Sequence, residues 1–235
     1  MSLLTIVQSI ADESGIPRPA AVASSADQQV RQLFALVNRS GQQLLRRYDW
    51  APLRKEGNFS TLAAELQGAL TTVASSSFLY FVNETMWNRT LNRPVPGPLT
   101  AEEYQTLKSN SVTGPYPQFF TREGNLYFIP APAASESVYF EYISKYWCTD
   151  STGATGKEKM TADTDVSLIP ENLIELDVLW RWRKKKGFDY GEEFREFETA
   201  FANHTGRDGG RKKLSLNGQD MSKGAIRVPE GSWTP

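Results

Sequence analysis

Five cations fall within six positions, Arg181, Arg183, Lys184, Lys185 and Lys186, with Trp180 and Trp182 beside them. Such a cluster attracts phosphates or carboxylates, and symmetric repetition in an oligomer would turn it into a positive girdle. The same charges also suit the negative end of a helix, which requires no ligand. Other reactive side chains point nowhere in particular. Glu192, Glu193 and Glu196 could pair for hydrolysis, but acids are favoured in a first helical turn. His204 is the only histidine and has no nucleophile-elbow serine or cysteine before it. Cys148 follows a strand-like Tyr146-Trp147 and is expected to pack as a small apolar group. Gly153-Ala-Thr-Gly156-Lys157 has its glycines too close for a phosphate loop, and Glu158 stands where a magnesium-binding hydroxyl belongs. The chain is therefore expected to be no enzyme, with no cofactor and no metal site.

The elements that carry the basic run are well marked. Pro170 is suited to a first helical turn and Gly187 to a left-handed helix end, so residues 169–205 read as a helical hairpin turning at Gly187-Phe188-Asp189-Tyr190. Leu173, Ile174, Leu176, Val178, Leu179, Trp180 and Trp182 cover more than one face, which predicts several helical neighbours. Phe194, Phe197 and Phe201 share a face of the second arm and are read as core rather than as stacking platforms for single-stranded nucleic acid. Ser2 can cap a first helix over Leu3, Leu4, Ile6, Val7, Ile10 and Ala11, ended by Gly15, Pro17 and Pro19. A longer one starts near Ser24-Ser25, where Asp27 and Gln28 suit a capping box, and runs through Val30, Leu33, Phe34, Val37, Gly41, Leu44, Leu45 and Tyr48.

From Trp50 to Asp150 the pattern changes to strands. Val138, Phe140, Tyr142 and Ser144 alternate with Tyr139, Glu141, Ile143 and Lys145, and Glu123-Gly124-Asn125 marks a hairpin turn. Thr100-Ala-Glu-Glu103 is a capping signature for a short helix within this region. After residue 206 few large apolar residues remain, too few for a core. That tail is expected to be disordered or to order on a partner, where Ile226 and Val228 could add a strand to a sheet edge.

Composition sets the limits. With 235 residues and 40% hydrophobic content the chain can bury one sizeable core and a smaller one. A net charge of −1 disfavours a general polyanion or membrane-surface binder. A single cysteine excludes an internal disulfide and fits a reducing cytoplasm. The first residues carry no basic leader and are broken by Gln8, Asp12 and Glu13, so no membrane contact is expected.

Taken in order, residues 42–53 (QQLLRRYDWAPL), Gly97-Pro98-Leu99-Thr100, 125–132 (NLYFIPAP), 139–147 (YFEYISKYW) and 179–190 (LWRWRKKKGFDY) resemble the head-to-tail adaptor proteins of tailed bacteriophages, also called connector or head-completion proteins. The resemblance spans roughly the first 205 residues. It implies an α+β fold, an α-helical bundle with a β-rich insertion and an extended C-terminal arm. The parts expected are the N-terminal bundle at 1–50, the insertion at 51–164, the completing hairpin at 165–206 and the arm at 207–235. It further implies a structural virion protein at the head–tail junction, made in the host cytoplasm. Its copies would form a ring, commonly a dodecamer, between the portal protein and a tail tube or nozzle protein. That ring would prolong the DNA channel, touch genomic DNA transiently and serve genome retention and ejection. Under this reading Arg181, Arg183, Lys184, Lys185 and Lys186 face the channel or the portal. Arg207, Arg211, Lys212, Lys213, Leu214, Leu216, Ile226, Val228 and Trp233 belong to the docking arm. The alternative is a non-specific nucleic-acid-binding module that uses the basic helix end.

Overall fold

The computed structural model describes residues 2–109, 114 and 116–208. The chain opens with helices α1 (Leu3–Ser14) and α2 (Gln28–Arg47), followed by a 3-10 turn (Ala51–Leu53). Strands β1 (Arg54–Ser60) and β2 (Leu66–Ala69), the single turn α3 (Leu70–Val73) and strands β3 (Phe78–Phe81), β4 (Trp87–Asn88) and β5 (Arg93–Pro94) come next. Helix α4 (Ala101–Ser109) precedes β6 (Gln118–Arg122), β7 (Asn125–Ile129) and β8 (Ser137–Ser144). Three short strands, β9 (Cys148–Thr149), β10 (Gly156–Lys157) and β11 (Val166–Ser167), lead to α5 (Glu171–Lys186) and α6 (Gly191–Thr205). The mixed α+β class expected from the sequence is the class observed, with its sheets antiparallel.

The local signals act as their chemistry requires. Ser2 accepts from the Thr5 N–H at the start of α1. The Thr100 hydroxyl accepts from the Glu103 N–H at 3.2 Å, while the Glu103 carboxylate accepts from the Thr100 N–H at 2.7 Å, a reciprocal capping box. Glu123 and Gly124 both take positive φ, as a two-residue turn between β6 and β7 demands. The start of α2 differs from expectation: Asp27, not the serines, is its cap, accepting from the Gln29 N–H at 2.7 Å. Ser25 instead accepts from the Asp27 N–H and fixes the approach to the helix. The helix is accordingly twenty residues long, shorter than the periodicity suggested.

Two apolar clusters divide the molecule. One gathers α1, α2 and α5 with Phe197 of α6; α5 packs on all three of the other helices, as its broadly apolar surface predicts. The second lies in the sheets, around Phe119, Leu126, Phe128, Val138, Phe140 and Tyr142. Strand β8 joins them. It pairs with β1 from Ser137 to Ile143, and its other edge is shared between β3 and β4. Val138, Phe140 and Tyr142 face the sheet core, whereas Ile143, next in sequence and so on the opposite face, enters the helical core. Trp147, Cys148 and Met160 also belong to the helical core. The Trp147 indole rests against Gly41 of α2 and donates to the Glu158 carbonyl at 2.6 Å.

Candidate functional site

The basic run closes α5, whose C-cap Gly187 takes φ 81° and donates back to the last turn. Its five cations have different surroundings. Arg181 makes a two-pronged ion pair with Asp177 (2.7 and 2.9 Å), one turn earlier and only 1% exposed. Asp177 also accepts from the Trp180 indole at 3.0 Å. A buried carboxylate without a partner is costly, so Arg181 serves α5 itself. Arg183 pairs with Glu193 of α6 and ties the two arms of the hairpin together. Lys184, Lys185 and Lys186 are exposed and have no carboxylate partner among the described residues. Lys184 lies over the rings of Tyr190 (5.4 Å) and Trp180 (5.8 Å), and Lys186 lies 5.4 Å from the Trp182 ring. Lys185 borders a shallow groove with Gln28, Arg31, Gln32 and Ala35 of α2.

The turn between the helices adds apolar surface to this positive end. Phe188 is 59% and Phe194 39% exposed, the latter meeting Trp180 edge to face at 5.2 Å. The expectation that three phenylalanines of α6 line the core therefore holds fully only for Phe197. Phe201 is half-buried against Trp50, and Phe194 lies beyond the last covering layer because α6 packs mainly on α5. Arg47 covers Phe201 at 4.0 Å and pairs with Glu198, sealing the seam between α2 and α6.

The last described residues after α6 are anchored. Asp208 accepts from the Ala51 N–H at 2.9 Å, and the Tyr48 hydroxyl donates to the Thr205 and Asp208 carbonyls. Arg207 is exposed there and borders an open groove shared with Trp50, Leu168, Pro170 and His204. The remaining arm candidates, Arg211, Lys212, Lys213, Leu214, Leu216, Ile226, Val228 and Trp233, lie outside the described residues.

The residues weighed for catalysis have structural surroundings. Glu192 pairs with Arg195 in its own helix. In the loop around Gly153 the Asp150 carboxylate accepts from the Thr152 and Ala154 N–H groups, while Lys157 pairs with Asp165, which is 1% exposed and also accepts from the N–H groups of Thr161 and Ala162. Burial alone would raise the Asp165 carboxyl, but these donors outweigh it and hold it below the usual aspartate range. Cys148 is fully buried, and burial, reinforced by the Asp165 charge, pushes its thiol up to about 12. Among the described residues no group of His, Cys, Asp and Glu is arranged to hold a metal ion, and no helix is long and apolar enough to cross a membrane.

The sequence reading missed one feature of this end. Helix α2 contains four arginines and no Asp or Glu. Three of them, Arg31, Arg39 and Arg46, are exposed without an ion-pair partner among the described residues. Their spacings of eight and seven form no run, so the apolar periodicity of the same helix concealed them; the absence of acids was the available signal.

No curated protein matches the chain. A family model described as SU10 adaptor protein matches residues 1–227. That family is one of structural phage proteins rather than enzymes. The chain, whose described residues form an α+β body, belongs to the SU10 adaptor protein family, a family of bacteriophage head-to-tail adaptors.

Proposed function

We propose that the chain assembles as a homo-oligomeric ring, a dodecamer, that seats beneath the portal protein, receives the tail tube or nozzle protein and continues the DNA channel. The family match over nearly the whole chain carries this reading. In it the helical parts, 1–50 and 165–206, form the body of the ring, residues 51–164 present a surface to the next tail component, and residues 207–235 dock on the portal. Two features support those roles. The arm would start from a point pinned at Asp208 to Ala51, between α2 and β1, where Trp50 and Leu53 enter the helical core. The end of the α5–α6 hairpin combines exposed aromatics with three lysines that have no carboxylate partner among the described residues, a composition suited to a protein contact with an acidic rim. The ring would sit at the head–tail junction of the virion after synthesis in the host cytoplasm, where it retains the genome and admits it to the tail.

The competing reading, a free nucleic-acid-binding module built on the basic helix end, is weakened because Arg181 and Arg183 are engaged internally. Negative-stain imaging of the purified chain with its portal ring tests the adaptor role. Portals should gain one annular layer, and the layer should be lost on deleting residues 207–235. Bare portals in the presence of folded full-length protein would refute it.

A further inference from the structure

We infer that the outer face of α2 is a binding surface for the sugar–phosphate backbone of double-stranded DNA, with Arg31, Arg39 and Arg46 as its phosphate contacts and Lys185 at its end. This rests on the adaptor reading only in that a ring places one face of each copy toward the DNA.

The geometry of α2 supports it. At about 100° per residue, Arg31, Arg39 and Arg46 fall within about 80° of arc, and at about 1.5 Å per residue they span about 23 Å along the helix axis. The opposite arc is filled by Val30, Leu33, Leu36, Val37, Leu44 and Leu45, all buried, so the arginines cannot turn inward. Arg47 shows the contrast: it lies toward α6, pairs with Glu198 and stacks on Phe201. Lys185 meets the stripe beside Arg31 and Gln32, where the C-terminus of α5 reaches the start of α2.

The neighbours of the arginines separate a nucleic-acid surface from a protein one. Around them the exposed positions of α2 are Gln28, Gln29, Ala35 and Gln43, with Gln32, Phe34, Asn38 and Gln42 partly exposed. Protein interfaces are centred on exposed aromatic or large aliphatic anchors, whereas the one partly exposed aromatic of α2, Phe34, packs against the helical core. The exposed large apolar residues, Leu62, Leu66, Trp87, Leu91, Tyr116, Phe188 and Phe194, all lie on other elements. Glutamine amides and arginine guanidinium groups without acidic neighbours donate to phosphate oxygens regardless of base sequence, as a contact that must let DNA slide requires. The net charge of −1 does not oppose this, because α2 itself carries four arginines and no Asp or Glu, and local rather than total charge attracts a phosphate backbone.

The test titrates full-length protein against a fluorescent duplex of about 30 base pairs at several salt concentrations, following anisotropy. One variant carries Arg31→Gln, Arg39→Gln and Arg46→Gln; another carries Lys184→Gln, Lys185→Gln and Lys186→Gln. Glutamine keeps the helix propensity and removes the charge. The arginine variant should lose at least about tenfold in affinity at low salt, and its slope of log K against log salt should flatten by about 2.7, or about 0.9 per lost contact. The lysine variant should lose less. Unchanged affinity in the arginine variant, or no duplex binding by wild type at low salt, overturns the inference. Portal attachment, scored separately by imaging, keeps the two readings apart. If the arginine variant stays folded but no longer forms the annular layer, α2 is a protein interface and the DNA assignment fails. If wild type never seats on the portal, the adaptor reading fails and the titration still decides what α2 binds.

Discussion

Gly41→Ala sets two well-known effects against each other. Alanine in place of glycine inside a helix is favourable by about 1 kcal/mol. At this site, however, the new methyl would lie 2.5 Å from Cζ2 and Cζ3 of Trp147 and closer still to Cη2. Contact at that range requires movement, and Trp147 has little freedom to move. It is fully buried and its indole N–H is committed to the Glu158 carbonyl. Overpacking a rigid core costs about 1–3 kcal/mol, and three ring atoms in contact place this site near the upper end. The net expectation is a loss of about 2 kcal/mol, which for a chain of this size lowers the melting temperature by about 4–8 °C. Calorimetry of the single variant and of Gly41→Ala in a Trp147→Leu background checks it. With the indole gone, the alanine should stabilise by about 0.5–1 kcal/mol relative to that background. A single variant as stable as wild type, or a penalty that persists without the indole, would refute the argument that Trp147 sets the position of α2.

Lys157→Met removes the ion-pair partner of a buried carboxylate. Breaking such pairs costs about 3–5 kcal/mol; with the Lys157 side chain 27% exposed, about 2 kcal/mol is expected in urea unfolding. Because the Asp165 carboxyl is depressed in the folded state, its stabilisation is present above the usual aspartate range and fades as pH falls through the folded value. Losing Lys157 raises that folded value, so acid unfolding should begin at higher pH, and an unmoved midpoint would contradict the pairing. For Cys148, a thiol raised to about 12 and fully buried should resist a disulfide reagent at pH 8 until the protein unfolds. Prompt stoichiometric labelling of native protein would show that the strand-end packing opens.

Features governed by neighbours in sequence were legible: the cap at Ser2, the box at Thr100 and Glu103, the turn at Glu123-Gly124 and the stop at Gly187 each depend on residues within one turn. Misreadings arose where distant segments decide. Alternation placed Ile143 opposite Phe140 and Tyr142 but could not show that its side of the strand is covered by helices. Composition could not show that Trp147, Cys148 and Met160, within the β-rich segment, belong to the helical core. The five cations of the basic run are also not equivalent: Arg183 pairs with Glu193 across the turn, and Arg181 with Asp177, a partner four residues earlier that the sequence did offer.

That redistribution changes where charge is available. A consecutive basic run at a helix end spreads its side chains around the axis, so some must meet the body of the protein and acquire partners there, as Arg181 and Arg183 do. Arginines spaced seven and eight residues apart return to one face on every second turn and can all remain in solvent while the opposite face packs. The stripe on α2 is therefore the better-arranged cationic surface, although it is the less conspicuous in sequence. Its position also depends on Gly41, whose lack of a side chain lets Trp147 approach the helix from beneath. A change in that packing would displace Arg39 and Arg46, on either side of Gly41, relative to Arg31. Stability at Gly41 and DNA affinity at the stripe should thus be coupled, which the duplex titration applied to Gly41→Ala would measure directly.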